Sequence, residues 1–408
     1  MDRPLGSIFL PMRDFILEAE NLFEYTRTLR RDLHRHPELG YQEVRTSAIV
    51  ARELGELGLE IISGVGKTGV VAMLEGGRPG PVVLARFDMD ALPITEESEV
   101  KYASQTPGVM HACGHDGHTA VGLTVARLLQ AHSQELAGAV KFVFQPAEEG
   151  LGGAQAMIAD GVLENPKPDF ALALHLWNEK TIGWIGIGSG PVMAASVRFK
   201  VRIIGRGGHG ASPHLTIDPV LAAAHVVTAL QGIVSRNVPP LESAVVSVST
   251  FRSGETFNVI PSAVEMLGTI RTFLPAVRQR VLGRFHQVVQ GVAEAMECQA
   301  EVEITPITPE VVNEANMALR VQDIARLLWP DKPVDIEPRS MVSEDMAFMM
   351  GDIPGCYFFI GSANPEKGLS APHHHPRFNI DEDTLPHAVA LMSATVASLL
   401  EPQRQTAV

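Results

Sequence analysis

The chain has 408 residues and a mass of 44.0 kDa, more than one ordinary domain of ~100–200 residues, so two domains are expected. Hydrophobic residues make up 45% and charged residues 20%, a globular balance that excludes disorder, collagen-like repeats and coiled coil. Lys+Arg number 33 against Asp+Glu 47, and the net −14 argues against nucleic acid or an anionic membrane as partner.

The apolar stretch around Ile8-Phe9-Leu10 is too short for a secretory signal core, and no other apolar run reaches the length of a bilayer crossing. From residue 12 to about 33 the spacing suits an amphipathic helix ending before His36-Pro37, and a second helix is expected over 43–57, stopped by Gly58. Residues 69–74 and 81–87 read as strands, 119–132 as a helix, and 140–144 and 170–174 as short apolar runs bounded by turn residues. Such runs between helices predict strands buried on both faces of a mainly parallel sheet, in a layered α/β domain. Around residues 186–191 the composition turns Gly-rich and the rhythm changes. Residues 197–204 alternate as a strand, 218–235 form a helix behind Asp218-Pro219, 244–251 and 263–273 are strands, 275–298 a helix and 300–306 a strand. The order β-α-β-β-α-β is a ferredoxin-like α+β unit. A helix at 316–328, a strand at 355–360 and a helix at 385–400 return to the first domain. The chain is thus expected to hold a split domain, 1–193 with 309–408, and an inserted domain, 194–308.

Three cysteines, Cys113, Cys298 and Cys356, make no disulfide framework and suit a reducing compartment, so a cytoplasmic protein is expected. The 15 histidines are unevenly placed. His111-Ala112-Cys113-Gly114-His115-Asp116-Gly117-His118 brings a thiol and imidazoles into one loop ahead of a helix. These donors suit zinc and other transition metals, although a polar helix start is the plainer reading. Gln145-Pro146-Ala147-Glu148-Glu149-Gly150 follows an apolar strand with two adjacent carboxylates pointing different ways. One could bind a metal while its neighbour acts as general base, although such a pair is more often a solvated surface step. Residues 170–174 lead into His175, a position that alone is more often a satisfied core histidine. Asp88 and Asp90 close another strand, and Pro372-His373-His374-His375-Pro376 offers three histidines in a proline-bounded loop. In open α/β sheets ligands bind beyond the carboxyl ends of the strands, where Asp88, the Cys113/His115 loop, Glu148-Glu149 and His175 are all expected. A thiolate, two or three imidazoles and a carboxylate exceed the needs of one tetrahedral zinc. Two ions sharing a ligand are implied, with a free carboxylate to take a proton from the water they activate, which is metal-assisted hydrolysis.

Further ordered motifs are Arg30-Arg31-Asp32-Leu33-His34-Arg35-His36-Pro37-Glu38, Asp88-Met89-Asp90-Ala91-Leu92-Pro93, Gly207-Gly208-His209-Gly210-Ala211-Ser212-Pro213-His214 and Asn258-Val259-Ile260-Pro261. Together these motifs resemble the dinuclear-metal amidohydrolase family of hippurate hydrolases, indole-acetyl-amino-acid hydrolases and N-acyl-amino-acid amidohydrolases, relatives of aminoacylases and zinc carboxypeptidases. The resemblance runs from about Leu29 to Leu400. It implies metal ligation by Cys113, His115, Glu149, His175 and, two residues before proline, His374, with Cys113 bridging two divalent ions. Zinc or manganese leads, and the mixed S/N/O donors also admit cobalt or nickel. Glu148 becomes the general base and later the acid for the leaving amine, and Asp88 holds a ligand imidazole in its productive tautomer. The inserted domain becomes a lid and dimerisation domain of a homodimer or tetramer. From it His209 reaches a neighbouring subunit's site to polarise the scissile carbonyl, while Asn258 and Arg271 hold the substrate. A tight turn at 207–210 and a strand-face Arg271 are the plainer alternatives.

Arg86 and Cys113 stand where carboxypeptidase-like relatives carry a histidine and a bridging aspartate, as in the hippurate-hydrolase branch. Phe87 and Val342-Ser343-Glu344-Asp345-Met346 depart from the commonest family residues and bear on substrate choice. The expected reaction is hydrolysis of the amide between an acyl or aroyl group and an amino acid. An aryl-amine deaminase or a dipeptidase would use the same machinery. The rivals of other classes are a Cys113 nucleophile with a neighbouring histidine and a non-catalytic metal- or ligand-binding protein.

Overall fold

The computed structural model describes residues 14–401, so the expectations for Ile8-Phe9-Leu10 and for a helix start at Met12 lie outside the described residues. The chain forms two compact units: Met1–Gly190, Val312–Pro338 and Asp345–Val408 belong to the first, Pro191–Val311 and Arg339–Glu344 to the second. Arg339–Glu344 groups with the second unit because Ser340 exchanges backbone hydrogen bonds with Val192 and Ala194. A linear reading, which leaves this segment with the first domain, does not register so distant a pairing.

In the first unit the single helix expected at the start is two, α1 (Asp14–Asn21) and α2 (Phe23–Arg35). The break falls at Leu22, whose carbonyl accepts the Thr26 hydroxyl at 3.0 Å, a side-chain bond that bends helices. α3 (Val44–Glu56) is capped by Glu38, whose carboxylate accepts the Arg45 and Thr46 N–H groups at 2.9 and 2.8 Å. Strands β1 (Glu60–Val65), β2 (Gly69–Glu75), β3 (Arg78–Asp88), β4 (Ala137–Gln145), β5 (Phe170–Thr181) and β6 (Ile185–Gly186) then build one sheet with Val334–Asp335 and Gly355–Ala363. Its order is β1-β2-β4-β3-β5, then Gly355–Ala363, β6 and Val334–Asp335. The central strands β4, β3, β5 and Gly355–Ala363 pair in parallel, and β1 and β2 add an antiparallel edge. β1 escapes a sequence reading because its half-exposed residues carry no core pattern. Helices α4 (His115–Ala131) and Leu385–Leu399 are buried nearly all round, which is why neither shows a strong polar face.

Strand ends place the site. β3 and β4 finish in register at Asp88 and Gln145, whereas β5 pairs with β3 only as far as Arg86 and Ala173. β5 then continues against Gly355–Ala363 and carries His175 past the end of its pairing with β3. The strand end expected at Leu174 is therefore the end of one pairing, not of the strand.

The second unit is an antiparallel sheet of Ala244–Arg252, Ala263–Thr272, Ala195–Ile204 and Gln299–Thr308, in that spatial order, with helices Pro219–Asn237 and Pro275–Ala295. This is the expected ferredoxin-like order. Burial alternates residue by residue along Ala263–Thr272, and Phe199, Met266, Ile270, Leu230 and Phe285 meet in its core. Asp218 caps its first helix by accepting the Val220 and Leu221 N–H groups, with Pro219 at the first helical position. Among the described residues no helix is long and apolar enough to cross a membrane.

α4 crosses the sheet at Gly122, where a Cβ would lie 2.6 Å from the Phe87 ring and 2.9 Å from that of Phe144. Gly122→Ala is expected to cost about 1–3 kcal/mol through overpacking. Thermal unfolding reads the loss, and an unchanged midpoint would show that helix and rings can part at no cost.

Candidate metal centre

Four imidazoles at the carboxyl end of the sheet, His115, His118, His175 and His373, have at least one nitrogen committed to a protein partner, and that partner decides what the ring can do. His115 opens α4 behind Gly114, whose φ of +93° turns the chain into the helix. His115 Nδ1 lies 3.0 Å from the Asp90 carbonyl oxygen and 3.2 Å from Asp90 Oδ1. Both oxygens only accept, so Nδ1 carries a hydrogen and Nε2 is the nitrogen left for a ligand, although, against the effect of burial, Asp88, Cys113 and Asp90 push the ring well above the ordinary imidazole range. His175 donates from Nδ1 to the Leu176 carbonyl at 2.8 Å and turns Nε2 toward Cys113 Sγ at 3.6 Å. His118 is arranged the other way: Nε2 accepts the Leu176 N–H at 2.9 Å, and Nδ1 donates to Asp88 Oδ1 at 2.6 Å. His373 donates from Nε2 to the same Leu176 carbonyl at 3.1 Å.

The structure brings the metal-ligating candidates together in overlapping groups whose ligand atoms lie within 4.8 Å of one another. Cys113 stands with His115 and His175, and again with Glu149 and His374, so its sulfur is common to two groups. His115 also stands with Glu148 and Glu149. His374 sits at a positive φ of 64° in the proline-bounded loop, its N–H on the Ala112 carbonyl at 2.8 Å. Glu149 Oε1 is buried and pairs with His374 Nε2 at 3.2 Å. A buried carboxylate oxygen, a half-buried thiol and imidazole nitrogens are a donor set that fits zinc or another first-row divalent ion. Without metal, burial and the Glu149 carboxylate push the Cys113 thiol up, and burial with the His118 and His373 rings holds His175 well down. Side-chain contacts with Cys113 and Glu149 push His374 up to about 10. Protons thus occupy the Cys113 and His374 candidate ligand atoms, and metal loading there would release them.

Asp90, not Asp88, holds the His115 tautomer. Asp88 pairs with His118 and with the buried Arg86, Nη1 to Oδ2 at 2.7 Å, and lies 3.8 Å from His115 Nε2. Burial opposes its ionisation, but His115, His118 and Arg86 keep its pKa well below the carboxylate range. Arg86 also donates to Gln145 Oε1 at 2.8 Å and Asp345 Oδ1 at 3.1 Å. Asp345 Oδ2 accepts the Ala154 N–H at 3.0 Å, and the Asp345 N–H reaches Glu148 Oε1 at 3.4 Å. Behind the first turn of α4, Asp116 Oδ2 receives Arg30 Nε at 2.7 Å and His34 Nδ1 at 2.8 Å, all three buried. Asp90 had a signal in the sequence, because side chains two apart on an extended segment share a face. Asp345 had none, since its Arg86 partner lies 259 positions away.

The remaining candidates lie in the second unit. His209 and Asn258 are exposed neighbours on a two-stranded ladder that pairs Val259 with His209. His209 Nδ1 accepts the Ala211 N–H at 3.1 Å, and Asn258 Oδ1 accepts the Thr256 hydroxyl at 3.0 Å. Arg271 is half-buried and donates to Ser343 Oγ at 2.6 Å and Thr269 Oγ1 at 3.1 Å within its own unit.

The His374 pKa has a consequence for stability. A folded value of about 10 exceeds the ordinary imidazole value of ~6.5. In metal-free protein the stabilisation is therefore full below about pH 6.5 and fades as pH rises toward about 10. Chemical denaturation across that range is expected to show a falling limb that Glu149→Gln flattens. A limb untouched by the substitution would remove the pairing.

Residues 84–398 match the pattern of peptidase family M20/M25/M40. The chain is 41% identical over 390 residues to IAA-amino acid hydrolase ILR1-like 5 of Arabidopsis thaliana, covering 94% of this chain and 89% of that protein. It is 39% identical over 375 residues to N-acetylcysteine deacetylase of Bacillus subtilis (strain 168), covering 91% and 96%. The crystal structure of the Bacillus subtilis YXEP protein, a dinuclear metal binding peptidase from the M20 family, aligns with a TM-score of 0.81 at 35% identity, over 93% of this chain and 99% of that one. By its sequence and by the donor groups at its sheet edge, the chain belongs to peptidase family M20/M25/M40 and is a metallo-amidohydrolase.

Proposed function

We propose that the enzyme hydrolyses the amide bond of N-acyl or N-aroyl amino acids. The observation that carries this is the turn after β4, where Glu148 stands beside Glu149 with its ligand atoms within 4.8 Å of His115. A relative that hydrolyses IAA-amino acids and another that deacetylates N-acetylcysteine support the substrate class. Cys113, His115, Glu149, His175 and His374 would hold two divalent ions, zinc or manganese first and cobalt or nickel also suited, with Cys113 between them. When bound, the ions supply Lewis-acid polarisation of the scissile carbonyl and a water of lowered pKa.

Glu148 takes a proton from the attacking water and returns it to the leaving nitrogen, a service worth ~10²–10⁴ in rate. Asp90 keeps His115 Nδ1 protonated so that Nε2 can ligate, and Asp88 keeps negative charge beside that ring. The inserted unit serves as lid and dimerisation domain of a homodimer or tetramer. His209 of a neighbouring subunit polarises the carbonyl, and Asn258 and Arg271 hold the substrate.

Amino-acid release from N-benzoyl, N-acetyl and indole-acetyl substrates, with metal analysis of the same protein, tests the reading. Turnover of at least one substrate is expected, and none with metal bound would move the assignment to dipeptides or aryl amines. Glu148→Gln should lower turnover by ~10²–10⁴ with metal content unchanged. Co-expressed with His209→Ala, it should regain roughly a quarter of the activity in mixed dimers. A fully active Gln variant sinks the role of Glu148, and dead mixed dimers sink the crossing of His209 between subunits.

A further inference from the structure

Ala147, between the end of β4 and Glu148, is fully buried and adopts a φ of +54°, a left-handed conformation that costs a non-glycine residue free energy. Such a conformation persists only where neighbouring groups over-determine it. Three buried carboxylates from distant segments grip the backbone around it. Glu43 Oε1 accepts the Ala147 N–H at 2.9 Å, Asp90 Oδ2 accepts the Glu149 N–H at 3.0 Å, and Asp345 Oδ2 accepts the Ala154 N–H at 3.0 Å. The turn closes on itself through the Gly153 N–H to the Ala147 carbonyl at 3.1 Å.

Glu43 is the member that nothing else in the molecule accounts for. It is fully buried, at 0% exposure, and its second oxygen accepts the Thr68 hydroxyl at 2.6 Å. It precedes α3 but does not cap it with its side chain, because Glu38 already satisfies the Arg45 and Thr46 N–H groups. Among the described residues Glu43 makes no ion pair, and its two oxygens accept hydrogen bonds, one from the segment leading into β2 and one from the turn that carries Glu148.

We propose that Glu43 is a positioning residue: by fixing the Ala147 N–H it locks the left-handed turn that aims Glu148 and Glu149 at the metal centre. This rests on the function proposed above for those two carboxylates. Glu43 touches neither substrate nor metal, so its loss acts through the orientation of the turn.

The test uses the full chain with Glu43→Ala, Glu43→Gln, Ala147→Gly and the Glu43→Ala/Ala147→Gly double variant. Deuterium exchange over residues 145–150 of metal-free protein needs neither substrate nor metal, so it reads the lock even if the substrate assignment fails. Glu43→Ala should speed that exchange about tenfold or more, through local opening. In the metal-loaded enzyme it should lower kcat about tenfold or more while KM moves less than about threefold, since misaim costs the chemical step. Glu43→Gln, whose amide oxygen can still accept the Ala147 N–H, should stay within about threefold of the parent kcat. Glycine at 147 accepts positive φ freely, so the double variant should recover about threefold or more of the kcat lost by Glu43→Ala. A merely structural Glu43 would not respond to glycine at 147. Unchanged exchange, an unchanged kcat, or a loss that Ala147→Gly leaves in place would each overturn the proposal. If Glu43→Ala does not fold, Glu43→Asp, shorter by one methylene, is read against the same outcomes.

Discussion

The backbone of one residue, Leu176, orients three imidazoles. Its N–H is accepted by His118, and its carbonyl receives His175 Nδ1 and His373 Nε2. These backbone groups are available because β5 outruns β3: pairing stops at Ala173, and side chains satisfy what a strand would otherwise take. The tautomers follow from this, and so does the direction of the His175 lone pair toward Cys113. Leu176 stays in the sheet through its pairing with Ile360, and a register that extended β3 along it would occupy these backbone groups and scatter the rings.

Charge is handled with equal economy of placement. The cluster gathers Asp88, Asp90, Asp116 and Asp345 in buried positions, each costly unless paired or hydrogen-bonded. Arg86 pairs with both Asp88 and Asp345, Arg30 pairs with Asp116, and Asp90 accepts the Glu149 N–H. The Arg86 guanidinium also ties the end of β3 to the end of β4 through Gln145.

Much of this was legible in the linear chain. The apolar runs of β3, β4 and β5, the Pro and Gly punctuation, and the β-α-β-β-α-β order of the insertion carry their own signals, because burial on two faces and alternation on one leave different patterns. The cysteine, histidine and glutamate candidates cluster in short segments, so their types and spacing point to metal chemistry before any coordinates. The break at Leu22, the exposed β1 and the return of Arg339–Glu344 to the second unit leave no such pattern, since each depends on contacts with residues far away in the chain.

The sequence by itself determined the inventory: which donors are present, that they follow strands, and that a β-α-β-β-α-β unit interrupts the layered domain. Tertiary structure alone decided which atom of each donor is available. Asp90 instead of Asp88 behind His115, Leu176 behind His175, and Glu43 behind Ala147 are pairings across 25, 1 and 104 positions of the chain. Even the nearest of them exists only because one strand outruns another. Hydrogen bonds are directional and short, so a residue's chemistry at this site is settled by what the folded chain lays within 3 Å of it.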